Sequence, residues 1–123
     1  MNRENTKPHR RLVLWQKSVA LSKVIYETTN KFPDSEKYGL ISQLRRAIVS
    51  VSANIAEGAA RNHKKEFVQF LGISNGSISE WDTLVEIAFQ LKYLDTEEYN
   101  HINTELDALS ALNNGLIRKL KLE

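Results

Sequence analysis

Apolar residues recur at intervals of three and four through almost the whole chain, and that single rhythm excludes most folds. From Leu12 to Phe32 they form two adjacent helical stripes, Leu12, Trp15, Val19, Tyr26 and Leu14, Leu21, Ile25, Phe32. A second run, Leu40, Leu44, Ile48, Val51, Ile55, carries to about Arg61. A third places Phe67, Leu71, Ile78, Trp81, Val85, Ala88 on one stripe with Phe70, Ile73, Leu84, Ile87, Leu91 beside it, ending near Tyr93. The fourth is Ile102, Leu106, Leu109, Leu116, Leu120. No alternation of period two competes, so no strand is expected.

The breaks between these runs carry helix punctuation. Pro33 stops the first helix, and Asp34 or Ser35 is placed to cap the second. Asn62 is the expected cap of the third, and Asp95 with Glu98 has the spacing of a capping box. Asn113, Asn114 and Gly115 are expected to weaken the last turns, since glycine inside a helix costs about 1 kcal/mol relative to alanine. Four helices of roughly 20 to 30 residues with short connections predict an all-α, up-and-down antiparallel four-helix bundle. It spans residues 11–123, behind a flexible basic N-terminal tail of residues 1–10.

The absence of cysteine removes disulfides and thiolate metal ligands and favours a reducing compartment. The opening MNRENTKPHRR has no apolar stretch behind it, and nowhere do about 18 apolar residues run together. These features predict a cytoplasmic protein with no membrane partner.

Small residues are concentrated where helices meet. On the second helix Ala47, Ser50, Asn54, Glu57 and Arg61 share a stripe, and the third offers Gly72, Gly76, Ser79 and Thr83. Such stripes let helix axes approach more closely than the usual ~8 to 10 Å. A carboxylate on the seam needs a partner, because an unpaired buried charge costs several kcal/mol. The expected structural polar seam is therefore Arg45, Arg46, Asn54, Glu57, Ser77 and Glu80, with Glu57 or Glu80 paired to one of the arginines. Helices 2 and 3 also carry more apolar stripes than one core requires, which points to self-association.

The ordered set WQK, FP followed by EKYGL, QLRRA, NIAEG, EF and GS with Glu80 three residues later resembles the 23S rRNA-intervening-sequence proteins of bacteria. One departure is Ser52, where that family commonly has proline; its absence should straighten helix 2. The resemblance covers nearly the whole chain and implies a small cytoplasmic four-helix bundle assembled as a ring, a homopentamer. It also connects to the accessory variability determinants of diversity-generating retroelements, which form such a ring and work with nucleic acid and a nucleic-acid-processing protein, a reverse transcriptase. No settled biochemical activity comes with the family name.

Net charge is only +2, but its distribution is uneven. In an antiparallel bundle one end collects Arg3, Lys7, Arg10, Arg11, Lys17, Arg61, Lys64, Lys65, Arg118, Lys119 and Lys121 against Glu4, Glu57, Glu66 and Glu123. Eleven bases against four acids leave +7 there, and six bases against eleven acids leave −5 on the rest. The helix macrodipole accounts for bases at helix ends, not for Arg10, Arg11, Lys64 and Lys65 at helix starts. Attraction to phosphate does, and it marks Arg10, Arg11, Arg61, Lys64, Lys65, Arg118, Lys119 and Lys121 as candidate contacts to RNA or DNA.

Two other classes compete. A di-metal bundle needs glutamates from two helices and Glu-x-x-His from two more. Glu57 and Glu80 could supply the first pair, but only Glu98 with His101 gives the second motif, since His63 and Glu66 are in the wrong order. There is no phosphate loop after a strand, no nucleophile elbow and no cysteine nucleophile, so neither catalytic residues nor a cofactor are expected. A protein adaptor is the other alternative, with Trp15 and Tyr26 at an interface instead of in the core.

Overall fold

The computed structural model describes residues 7–123. Four helices follow in order: α1 (Val13–Thr29), α2 (Leu40–Ala59), α3 (Lys64–Gln90) and α4 (Thr96–Leu122), with no strand among the described residues. A 3-10 turn, Pro8–Arg11, precedes α1, so the expected tail boundary at residue 10 falls inside ordered backbone. Residues 1–6 of that tail, with Arg3 and Glu4, lie outside the described residues.

The periodic apolar residues explain the bundle. Leu14, Leu21 and Ile25 of α1, Leu44, Ile48, Val51 and Ile55 of α2, Leu71, Ile78, Trp81 and Val85 of α3, and Ile102, Leu106 and Leu109 of α4 form one buried core. Trp81 is wholly enclosed, and its indole N–H donates to the Leu44 carbonyl at 3.1 Å, so the one polar atom of the largest core side chain is satisfied. The neighbouring stripes are only partly covered: Leu84 is buried and Leu12 and Trp15 pack against the core, while Val19, Tyr26, Ile73, Ile87 and Leu91 are exposed.

Helix ends depart from the sequence expectations in several places, beginning with α1, which starts at Val13 and leaves Arg10 and Arg11 in the 3-10 turn before it. Asp34 and Ser35 do not cap α2; with Glu36 they form a separate 3-10 turn, and α2 begins only after Gly39. The Glu36 carboxylate takes over, accepting from the Leu40 N–H at 3.2 Å. His63, in extended conformation, holds the cap position of α3 one residue after Asn62, without a side-chain cap. Helix α2 stops at Ala59 and α1 at Thr29, so Phe32 enters the core from the loop. Finally, α4 runs through Asn113, Asn114 and Gly115 unbroken. The reason is tertiary: Asn113 is wholly buried and donates to the Leu71 carbonyl at 3.0 Å and to Asn75 Oδ1 at 2.8 Å, while Asn75 donates to Asn114 Oδ1 at 2.7 Å.

The α3–α4 connection is fixed on both sides. Lys92 adopts φ 66°, and the Lys92 and Tyr93 amides donate to the Phe89 and Ala88 carbonyls, both at 2.9 Å, closing α3 with a Schellman motif. The capping box then opens α4: Asp95 Oδ1 accepts from the Glu98 N–H at 2.8 Å and Glu98 Oε1 from the Asp95 N–H at 2.9 Å. At Ser52 α2 is continuous, and the Ser52 hydroxyl lies 2.9 Å from that of Ser18 on α1.

Candidate functional site

Antiparallel packing gathers the starts of α1 and α3 and the end of α4 at one end of the bundle. The Lys64 ammonium meets the Glu123 carboxylate at 2.9 Å, fastening the start of α3 to the end of α4. Leu12 and Val13 share with Leu112, Leu116 and Lys119 an apolar groove of about 300 Å³, which brings in the start of α1. Arg11, Lys65, Arg118, Lys119 and Lys121 are exposed here. Arg10 lies over the Trp15 ring at 5.2 Å, and Arg61 over Phe70 at 5.1 Å while meeting Glu57 at 3.3 Å. All eight candidate phosphate contacts thus lie at this end, two of them with a carboxylate partner.

The local field shows in two groups. Partial burial, then the charges of Arg10 and Lys7, push the His9 imidazole below its ordinary pKa, so the neutral ring is favoured. The hydrogen bond and charge of Lys64 hold the Glu123 carboxyl below its ordinary range. Lys64 and Lys65 occupy the first turn of α3, where a cation is unfavourable by about 0.3 to 1 kcal/mol. Glu66 in the same turn and Glu123 offset part of this; Lys65 has no carboxylate partner among the described residues.

The seam between α2 and α3 is polar and half-exposed. The hydroxyls of Ser50 and Ser77 lie 3.0 Å apart, and Asn54 Nδ2 donates to the Ser50 carbonyl at 2.8 Å and its hydroxyl at 3.1 Å. Arg46 pairs with Glu80 at 3.2 Å, whereas Glu57 takes Arg61 one turn along its own helix. Arg45 is not part of this seam. It turns to α1, donating to Thr29 Oγ1 at 2.9 Å, the Tyr26 carbonyl at 3.2 Å and Asn30 Oδ1 at 3.0 Å.

The closest approach of the two helices is also displaced from its expected place. At Gly58 a Cβ would sit 2.8 Å from Phe70 Cβ and 2.9 Å from Phe67 Cδ1, so only glycine fits. Gly72 and Gly76 instead have no neighbour within 4 Å of a Cβ position, and Ser79 and Thr83 are exposed beside them. That stripe lies further round α3 than Phe70, Ser74 and Ser77, which are the residues that meet α2 and the core. Val49 and Ala53 on α2 and Ile73 on α3, the last 52% exposed, are further uncovered side chains on the outer faces of these two helices.

Among the described residues no three His, Cys, Asp or Glu side chains are grouped closely enough to hold a metal ion. Glu57 and Glu80 are held by arginines, and Glu98 is occupied by the capping box and by the Lys31 ammonium, so the three glutamates considered for a di-metal site are engaged elsewhere. No described helix is long and apolar enough to cross a membrane. A second groove, lined by Tyr26, Lys37, Tyr38, Ile41, Ser42, Arg45 and Arg46, has no counterpart in the sequence reading.

Residues 10–115 match the model of the family described as 23S rRNA-intervening sequence protein. Among solved structures, a protein with unknown function from the S23 ribosomal protein family of Bacteroides thetaiotaomicron VPI-5482 superposes with a TM-score of 0.80. It is 22% identical, and the match covers 86% of this chain and 96% of that one, so the likeness speaks to the fold. No curated protein matches the chain.

Proposed function

Given that the chain belongs to the 23S rRNA-intervening sequence protein family, we propose that it is a non-enzymatic, self-assembling bundle whose basic end binds the phosphate backbone of RNA or DNA. The observation that carries this reading is the pair Lys64 and Lys65 in the first turn of α3, where the backbone dipole opposes them, with Arg10 and Arg11 added by the 3-10 turn that precedes α1. Phosphate repays that cost, and each one neutralised releases condensed counterions. Such contacts position a strand without reading its sequence, so strong base selectivity is not part of the proposal.

Assembly is supported by the exposed Gly72, Ile73 and Gly76 of α3, with Val49 and Ala53 of α2, which leave the outer faces of both helices uncovered and room for another helix to lie close to α3. A closed cytoplasmic ring of five copies is the arrangement the family resemblance implies, and it multiplies the basic end by its copy number. A nucleic-acid-processing protein is the partner class that would complete it.

The test is fluorescence anisotropy of a labelled structured RNA and a matched DNA duplex across salt, with native mass spectrometry for the copy number. Binding should weaken steeply with salt, by roughly 0.9 in log–log slope per phosphate contacted on duplex DNA. It should collapse when Arg61, Lys64 and Lys65 are changed to glutamate, and again when Arg118, Lys119 and Lys121 are, with helicity checked in both. No binding at low salt defeats the proposal and favours the adaptor reading, for which the apolar groove beside Lys119 is the supporting observation. A partner captured there would survive nuclease treatment.

A further inference from the structure

Of the six bases outside the basic end, three meet in one place. Lys37, Arg45 and Arg46 line a groove of about 440 Å³ between the end of α1 and the start of α2, together with Tyr26, Tyr38, Ile41 and Ser42. This groove lies on the acid-rich part of the chain, roughly 21 Å along α2 from its end at Ala59, two residues before Arg61, counting 1.5 Å per residue from Arg45.

Three features of it are unusual for an idle surface. First, the Arg45 guanidinium is anchored by three neutral acceptors, Thr29 Oγ1, the Tyr26 carbonyl and Asn30 Oδ1, and lies 4.5 Å from the Tyr26 ring centroid. No carboxylate among the described residues pairs with it, so it is held in place with its charge uncompensated. Second, Tyr38 is 89% exposed, on a turn whose other large side chain, Phe32, is in the core. Third, the Lys37 ammonium lies over one face of the Tyr38 ring, 5.5 Å from its centroid, so a cation and a highly exposed aromatic ring are presented together. The neighbouring acids are engaged: Glu36 accepts from Leu40 N–H and from the Tyr93 hydroxyl at 3.0 Å, and Glu80 pairs with Arg46.

We propose that this groove binds a nucleotide unit, with its base stacked on Tyr38 and its phosphate held by Arg45 and Lys37. Aromatic faces accept any base, and Arg45 Nη1, the guanidinium nitrogen that none of these acceptors takes, is left to donate to a phosphate oxygen beside the Lys37 ammonium. The site stands apart from the basic end and does not require that end to bind anything. The nucleotide is either free or part of a single strand, and the same groove chemistry serves both.

The experiment is amide chemical-shift mapping on the full-length labelled protein, titrated separately with adenosine monophosphate, adenosine, inorganic phosphate and a short oligoadenylate. Saturable shifts from Lys37 to Arg46 with the monophosphate, stronger than with adenosine or phosphate alone, support a free-nucleotide site. The same shifts with the oligoadenylate only support a strand site. Tyr38→Ala should weaken either by about fivefold or more, the low end of what one base stack contributes. Because Tyr38 packs against so little, its melting temperature should not move. Lys37→Glu should weaken binding as well, and glutamates at Arg61, Lys64 and Lys65 should leave it unchanged. No saturable shift with either nucleotide ligand overturns the proposal. So do equal shifts in Tyr38→Ala, equal affinity for adenosine and its monophosphate, or shifts that vanish with the basic-end variant.

Discussion

Helix α3 meets its two neighbours through polar seams of opposite kind. Toward α2 the groups are hydroxyls and an ion pair on a half-exposed rim, Ser50 with Ser77 and Arg46 with Glu80. Toward α4 they are carboxamides, a wholly buried Asn113 joined to half-buried Asn75 and, through it, Asn114. The rim is served by water when a protein bond is lost. The interior is not: Asn113 Oδ1 and the nearby α3 hydroxyl of Ser74 are buried without a protein partner among the described residues. A tolerant seam and a demanding one thus flank the same helix, and the demanding one fixes the register of α4.

The comparison is broken most severely by Asn113→Asp. A carboxylate there faces the Leu71 carbonyl and Asn75 Oδ1, both acceptors, and should cost about 3 kcal/mol or more at neutral pH. Burial raises the folded-state pKa of the introduced carboxyl above its unfolded value of about 3.9. The loss is therefore smallest below that pH and grows as pH rises toward the folded value. Urea unfolding at several pH values would show this, and an unchanged midpoint at neutral pH would mean the seam is open to water.

Gly58→Ala comes next, with an expected loss of about 1 to 3 kcal/mol from overpacking against Phe67 and Phe70. Its control is Gly115→Ala, where a Cβ meets only the end of Arg118 at 3.9 Å and stability should rise by about 0.5 to 1 kcal/mol. Thermal unfolding of both variants tests whether α2 and α3 are in fact drawn together at Gly58; shifts of opposite sign are required.

On the tolerant seam, Ser50→Ala or Ser77→Ala should each cost less than about 1 kcal/mol, because water replaces the lost hydroxyl. A larger loss in denaturant titration would make the two seams alike. The smallest effect belongs to Tyr99→Phe at the outer edge of the α3–α4 seam. The Tyr99 hydroxyl donates to the Glu86 carboxylate at 2.5 Å and, with Gln90, holds that carboxyl below its ordinary range. A lowered folded pKa gives stability that is present above the unfolded value and lost as pH falls through the folded one. The Tyr99→Phe deficit in melting temperature should accordingly be seen at neutral pH and fade in acid.

Much of the bundle is legible in spacing alone. Leu44, Ile48, Val51 and Ile55 could satisfy their steps only on one buried helical face, and Asp95 with Glu98 announces α4 because both halves of the box are local. What spacing misses depends on contacts distant in sequence. Asn113 and Asn114 read as helix weakeners because their partner, Asn75, lies on another helix. Asp34 reads as a cap because nothing local says that a 3-10 turn will intervene before Leu40. Arg46 and Glu80 meet as the polar seam anticipates, yet adjacent Arg45 points about 100° away around the helix and leaves for α1. The groove around Tyr38 was invisible for the same reason, since its residues come from two helices and the turn between them.

The doubly fixed link from Leu91 to Asp95 has a consequence for kinetics. Its Schellman closure and capping box need no partner outside the α3–α4 pair, so the loop-closure cost of that hairpin is met locally and early. Folding should then begin with α3 and α4, while α1 docks after the rate-limiting barrier. Stopped-flow data on Asp95→Ala would show slower folding with little change in unfolding, and faster unfolding alone would reverse that order of events.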